Sequence, residues 1–205
     1  MLRMGLTGGI ASGKSAVGAL LREMGFPVLD ADALAHKLME PGQPAHDGVL
    51  REFGANLADA TGRIDRAKLA SIVFADPAKL ARLNAIIHPR VEAIVFQQFD
   101  QWQQSGVRDV AFVEAALLVE AGIAPKLDGL VVAYCSPEQQ LARLRARGMS
   151  EIEAKRRLAA QLPVQEKLRY ATESINCSGT LEETRARVQA LAAKLRKRTS
   201  EGWRA

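Results

Sequence analysis

Gly8-Gly9-Ile10-Ala11-Ser12-Gly13-Lys14-Ser15 is the stretch whose residue types and spacing specify chemistry most directly. It reads G-x-x-x-x-G-K-S, the pattern of a P-loop, which holds the phosphates of a nucleotide. Glycines let the backbone curl so that successive N–H groups face inward onto phosphate oxygens. A helix that starts directly after such a loop points the positive end of its dipole at the same place. Lys14 supplies a mobile charge for the outer phosphates, and Ser15 offers a hydroxyl to Mg²⁺. The bland alternative is a Gly-rich turn with an exposed lysine. The flanks argue against it, because an apolar run from Met1 to Leu6 precedes the loop and a helical pattern from Ala16 to Met24 follows it.

A P-loop says nucleoside triphosphate and leaves the reaction open. A GTP reader needs an N-K-x-D segment after a later strand, and none is present; a motor or transport ATPase needs a longer chain. Phosphoryl transfer to a small acceptor fits better, and its catalysis is mainly positioning and charge neutralisation. An acceptor hydroxyl needs a carboxylate within hydrogen-bond reach. Asp30 and Asp32 are the suppliers, although Asp30 serves equally as a helix cap. Glu114 ends an apolar run, where it either holds Mg²⁺ through water or is a buried hydrogen-bonded carboxylate. Arg143 and Arg147 are four apart and share a helix face. Closed over a triphosphate, they would exclude water and stabilise the moving charge. The other cations nearby, Arg145, Lys155, Arg156 and Arg157, read as a solvated face. His88 before Pro89 reads from its spacing as a helix-end histidine.

These residues need a scaffold that brings them together. Val28-Leu29-Asp30, Val110–Val113, Leu130–Cys135 and Ile175-Asn176-Cys177 read as four further short strands. Helical patterns lie between them, which argues an α/β fold with an open, mostly parallel five-stranded sheet flanked by helices. In such sheets ligands bind beyond the carboxyl ends of the strands. The P-loop, Asp30 and Asp32, Glu114, Ser136 and the run Asn176-Cys177-Ser178-Gly179 all fall there. Between the second and third strands the chain is helical for far longer than a crossover needs. Asp65 and Asp76-Pro77 open helices in that block, and His88-Pro89 is expected to end one helix and start another. Ser136-Pro137-Glu138-Gln139, Ser150–Glu153 and Thr180–Glu183 read as capping boxes. The expected division is a core of residues 1–32, 107–137 and 168–205, a helical acceptor-binding insertion of 33–106 and a helical lid of 138–167, all within one domain.

The 205 residues are 48% hydrophobic, enough for a substantial core. The net charge is +5, and Lys194, Arg196, Lys197, Arg198 and Arg204 face only Glu201 near the C-terminus. The basic character is therefore mostly a tail property, read as a frayed helix end with no nucleic-acid role. Cys135 and Cys177 match neither a zinc spacing nor a disulfide framework, and no apolar signal core or membrane-length run is present. A cytoplasmic location without membrane contact is expected.

Taken together, these segments resemble the dephospho-CoA kinase family. Leu6-Thr7-Gly8-Gly9-Ile10 through Ser15 is similar to its P-loop, and Asp30-Ala31-Asp32 to its D-A-D. Leu83-Asn84 to His88-Pro89 is similar to its L-N-x-x-x-H-P, and Leu117-Leu118-Val119-Glu120 to the end of its P-L-L-x-E. The segment from Arg143 through Arg147 to Gln161 and Lys167 resembles its lid and the element after it. The resemblance implies transfer of the γ-phosphoryl of ATP to the ribose 3′-hydroxyl of dephospho-CoA, with ATP and Mg²⁺ required; a monomer or weak homo-oligomer is expected. It implies Asp32 as catalytic base, with Lys14, Arg143 and Arg147 completing the catalytic set. It places Gly9, Ile10, Ala11, Ser12, Gly13, Lys14, Ser15, Ala16, Asn176 and Gly179 on ATP, with Ser15 on the metal. It places Thr7, Asp32, His88, Leu117, Leu118, Glu120 and Gln161 on the acceptor. Three departures stand out. Ala116 replaces a usual Pro, so a looser loop is expected, and Glu114 stands where Asp is common. Asn176-Cys177-Ser178-Gly179 replaces an I-D-N-x-G-like run, a change that backbone recognition of adenine tolerates. The alternatives are another small P-loop kinase acting on a nucleoside or nucleotide, and a non-enzymatic nucleotide- or nucleic-acid-binding protein.

Overall fold

The computed structural model describes residues 1–201, so Arg204 of the basic tail lies outside the described residues. Five strands form one sheet: β1 (Leu2–Thr7), β2 (Val28–Asp30), β3 (Val110–Glu114), β4 (Gly129–Tyr134) and β5 (Glu173–Asn176). Their order is β2-β3-β1-β4-β5, and every pairing is parallel. β3 is buried at all five positions, Val110 to Glu114. This explains its unbroken apolar run, since a parallel strand covered on both faces has no solvent side to mark with polar residues. β1 lies at the centre, so the loop after it emerges in the middle of the carboxyl edge.

The chain divides into two compact units, Met1–Asp30 with residues from Gln97 onward, and Ala31–Phe96. The first holds the sheet together with α1 (Lys14–Glu23), α6 (Pro137–Ala146), α7 (Glu151–Ala159), α8 (Val164–Leu168) and α9 (Leu181–Ser200). Its core joins Met4 and Leu6 of β1, Val17, Leu20 and Leu21 of α1, Phe112, Val131 and Ile175 of the sheet, and Val188, Leu191 and Leu195 of α9. Each fully buried aliphatic side chain of this kind contributes about 1.5–3 kcal/mol. Ser136 and Thr180 form complete capping boxes at α6 and α9. At α7 only half the box forms. Ser150 Oγ accepts from Glu153 N, but the Glu153 carboxylate turns to Arg157 at 2.6 Å, four residues on.

The basic end is not frayed over its described length. α9 runs to Ser200, and its cations are engaged. Lys194 and Arg198 reach Glu173 at 2.6 and 3.2 Å. Arg196 lies over the Phe26 ring at 4.7 Å and donates to Met24 O. Burying the arginine stem against an aromatic face holds the last turns in place.

The second unit contains α2 (Ala31–Leu38), α3 (His46–Phe53), α4 (Arg66–Val73) and most of α5 (Pro77–Gln104). Asp65 caps α4 through Ala67 N and Lys68 N, and Asp76 Oδ1 accepts from Ala78 N at the start of α5. His46 is buried, with its ring nitrogens on Asp47 Oδ1 at 2.9 Å and Gly62 O at 2.8 Å. The Asp47 carboxylate first, and the Gly62 carbonyl second, hold its pKa above the usual histidine range.

One expectation is overturned here. His88-Pro89 does not separate two helices, because Pro89 lies inside the single 28-residue α5. Proline removes one backbone donor and crowds the preceding turn. Against this, Ile87, Val91, Val95 and Phe99 are all buried at four-residue spacing on either side of it. That continuous apolar stripe outweighs the local penalty. The guanidinium of Arg90 also donates to Ile86 O in the turn beside the proline.

Candidate active site

The loop between β1 and α1 is shaped by what lies beneath it. A side chain at Gly8 would place Cβ 2.3 Å from Ala133 O, and one at Gly13 would place it 2.6 Å from Cys177 Cβ. Gly13 also has φ +106°, and Ala11 has φ +58°, the one positive value outside glycine among the described residues. The loop is therefore pressed onto the tips of β4 and β5 and curled through two left-handed residues. Its N–H groups run into the first turn of α1, where Lys14 and Ser15 sit. This is the geometry of an anion cradle.

Lys14 Nζ is 3.3 Å from Glu114 Oε1, and Arg22 Nη2 is 3.2 Å from Glu114 Oε2. Glu114 is 1% exposed at the tip of β3, beside Leu6 in register. Two cations offset the desolvation of that carboxylate. Gly18 makes the arrangement possible, because a Cβ there would approach Glu114 Oε2 to 2.2 Å. Arg22 and Gly18 were not singled out in the sequence. Their helical spacing to Lys14 was legible, but not the buried acid that they serve.

On the other flank, Arg143 of α6 donates to Ala11 O at 3.1 Å and to Cys177 O at 2.7 Å. It braces the loop against the segment after β5. Arg147, at the end of α6, is exposed. Together they line a cavity of about 240 Å³ with Gly13, Ala16, Cys177 and Gly179. The run after β5 is folded by its own groups: Asn176 Oδ1 accepts from Ser178 N, and Gln139 Nε2 donates to Ser178 O. A Cβ at Gly179 would meet Glu183 Oε2 at 1.6 Å, and that oxygen caps Thr180 N. Cys177 and Cys135 are buried free thiols beneath this site. Burial pushes the Cys177 thiol up to about 11, with Cys135 adding to the shift, and burial likewise raises Cys135.

The loop after β3 is not loose, contrary to the expectation drawn from Ala116. Ala116 O accepts from Thr7 Oγ1 at 3.1 Å and from Lys167 Nζ at 2.6 Å. The pinned group is a carbonyl, which alanine and proline both possess. Lys167, completely buried, also pairs with Glu120 at 2.8 Å, and Glu120 Oε1 accepts from Leu162 N. Leu118 is 1% exposed, and its methyl lies 3.0 Å from where a Cβ on Gly5 would be. Its part is packing. Leu117 is half-buried.

Two glutamines complete the first unit's site. Gln161 Oε1 accepts from Ile10 N at 2.8 Å, and Gln140 Nε2 donates to Ile10 O at 2.7 Å. Gln140 was missed in the sequence because nothing local marks it. Thus Thr7, the whole loop, Glu114, Glu120, Arg143, Gln161, Asn176 and Gly179 belong to one unit, whereas Asp32 and His88 belong to the other. Asp32 stands in the first turn of α2 and His88 within α5; both are half-buried.

A phosphate loop after the central strand of a parallel sheet, with an arginine-lined cavity beside it, defines a P-loop kinase. A sequence model of the family described as dephospho-CoA kinase matches residues 2–183, and the chain belongs to that family. A dephospho-CoA kinase of Symbiobacterium thermophilum is 45% identical over 188 residues, covering 91% of this chain and 78% of the relative. Among solved structures, TT1252 from Thermus thermophilus aligns with a TM-score of 0.77 at 36% identity, covering 95% of this chain and 97% of its own. Dephospho-CoA kinase from Campylobacter jejuni aligns at 0.69 and 26% identity, with the same coverages.

Proposed function

We propose that this enzyme transfers the γ-phosphoryl of ATP to the ribose 3′-hydroxyl of dephospho-CoA, releasing CoA and ADP. The observation that carries the reading is the cradle itself, a loop curled through left-handed Ala11 and Gly13 into the start of α1, joined to membership of the family. In it the triphosphate lies along residues 9–16, and Lys14 leaves Glu114 for the outer phosphates. The nucleoside occupies the cavity at Gly13, Ala16 and Gly179, where the backbone of 176–179 reads adenine. Arg143 holds the loop in shape, and Arg147 supplies the mobile charge over the phosphates.

Asp32 takes the proton of the acceptor hydroxyl. Only Ala31 separates it from the tip of β2, whose Asp30 pairs in register with Glu114. His88 and Leu117 are further candidates for contact with the acceptor. Among the described residues no cluster of three His, Cys, Asp or Glu could hold a metal. The exposed Ser15 hydroxyl in the first turn of α1 suits Mg²⁺, a hard cation that keeps water and phosphate oxygens as its other ligands. Glu114, which pairs with the adjacent Lys14, would act on it through water. When bound, Mg²⁺ neutralises developing charge on the transferring group.

The test is ADP release by a coupled assay with dephospho-CoA, set beside adenosine, AMP and other ribose-bearing acceptors. Release that requires dephospho-CoA and Mg²⁺ is expected. Asp32→Asn should lose about 10²–10⁴ in kcat, the usual worth of a general base, with ATP binding kept. Equal turnover on any ribose, or none on dephospho-CoA, sinks the reading.

A further inference from the structure

Ile10 is gripped through both polar groups of its backbone, one by each of two side chains from the segment of α6–α8. Its N–H can only donate, so the atom of Gln161 that faces it, at 2.8 Å, is the amide oxygen. Its carbonyl can only accept, so Gln140 presents its NH₂, at 2.7 Å. Both amide orientations are thereby fixed by the backbone. The NH₂ of Gln161 must then point away from Ile10, and among the described residues nothing accepts from it. The two amides lie close against the loop: a Cβ on Gly9 would come within 2.6 Å of Gln140 Nε2 and 3.6 Å of Gln161 Oε1. Gln161 is also held from behind, since Leu162 N donates to Glu120 and Glu120 pairs with the buried Lys167.

The cavity beside the loop fixes the direction of the nucleotide. It is lined by Gly13 and Ala16, at the α1 end, and by Ala11 in mid-loop, together with Cys177, Gly179 and Thr180. A nucleoside seated there runs its phosphate chain back along the loop, so the terminal phosphate comes to the Gly9–Ile10 end. That is where the unused donor of Gln161 lies.

We infer that Gln161 donates an amide N–H to the terminal phosphoryl group of the bound triphosphate, and that Gln140 is a positioning residue that acts through the Ile10 peptide. This rests on the phosphoryl-transfer reading of the site and gives Gln161 a role on the donor nucleotide, where the sequence resemblance places it on the acceptor. A donor fixed before the reaction stabilises charge as it develops on the moving group, without reorganisation. Losing one such donor typically lowers kcat about 10²–10³-fold.

The experiment has two arms. In the first, the side-chain NH₂ resonance of Gln161 is identified in ¹⁵N-labelled protein by its disappearance in Gln161→Met. It should shift when the magnesium complex of a non-hydrolysable ATP analogue is added and stay near its free position with ADP. The second arm is kinetic. Gln161→Glu keeps an acceptor for Ile10 N–H and replaces the donor with an anionic oxygen. It should lose at least about 100-fold in kcat with KM for ATP and the ADP affinity within about threefold. Gln140→Met should lower kcat less and raise KM for ATP, as expected of a residue that only shapes the loop. A resonance that moves equally with ADP, or not at all, overturns the inference. So does a Gln161→Met enzyme with unchanged kcat and tighter ATP binding, which would make Gln161 a plug that ATP displaces. The resonance arm needs no acceptor. If it succeeds while dephospho-CoA supports no turnover in the wild type, the acceptor assignment has failed and the inference stands.

Discussion

Replacing Lys167 by Met tests whether the loop after β3 is held by charge or by packing. The side chain is completely buried, and its ammonium makes two short contacts, 2.8 Å to Glu120 and 2.6 Å to Ala116 O. Methionine fills much the same volume, so the loss is electrostatic and not a cavity. Removing one partner of a buried pair costs about 3–5 kcal/mol, because the other charge stays behind. Glu120 keeps the Leu162 N–H and 18% side-chain exposure, and Ala116 O keeps Thr7, so the low end applies, about 3 kcal/mol. For a chain of this length each kcal/mol moves Tm by about 2–4 °C, giving a fall of roughly 6–12 °C. Urea unfolding followed by circular dichroism measures the free energy. Amide exchange should quicken at Leu162, whose acceptor is left loose. The double variant Lys167→Met with Glu120→Met removes both charges and should be more stable than the sum of the two single changes by about 1–3 kcal/mol. A single-variant loss below about 1 kcal/mol, or additivity within about 0.5 kcal/mol, would refute the electrostatic account.

Three smaller outcomes follow from the same contacts. Ala11→Gly should be neutral or stabilising by up to about 1 kcal/mol in urea, since φ +58° strains alanine by about 1–2 kcal/mol and glycine gives back part of that in chain entropy. The exposed helical Ala19→Gly should instead lose about 1 kcal/mol, and equal effects at the two sites would contradict the strain argument. The raised pKa of His46 means that its contribution to stability is complete below about pH 6.5 and is lost as pH rises through the higher folded value. The Tm difference between wild type and His46→Gln should therefore shrink from about pH 6 to about pH 8.5; a constant difference would count against it. Cys135 and Cys177 should react with an aromatic disulfide reagent far more slowly than in unfolded protein at about pH 8, because burial disfavours the thiolate in both; equal rates would show the thiols to be open to solvent.

Much of this architecture was legible because it is local. The cradle's glycines, the apolar run of β3, and the caps at Asp65, Asp76, Ser136 and Thr180 are each signalled within a few residues. What could not be read is what distant segments do to one another. Pro89 carries a local signal to stop, and only the buried stripe of α5 shows why the helix continues. Glu153 carries the signal of a capping box but finds Arg157 a better partner. Arg143 is marked as a charge for phosphate, yet its guanidinium also donates to the carbonyls of Ala11 and Cys177. Gln140 carries no signal at all until Ile10 is seen between its amide and that of Gln161.

These long-range contacts close into a ring. Thr7, the last residue before the loop, donates to Ala116 O; Lys167 shares that carbonyl and pairs with Glu120; Glu120 accepts from Leu162 N; and the neighbouring Gln161 returns to Ile10 N within the loop. Lys167 is completely buried, and its ammonium is the link most costly to leave unmet. The ring joins the β3 loop and the segment between α7 and α8 to the phosphate cradle by hydrogen bonds. Rigid donors are what phosphoryl transfer demands, since its catalysis is placement of charge before the group moves. It also explains why alanine suffices at residue 116: the ring uses the carbonyl there, and the side chain takes no part in it.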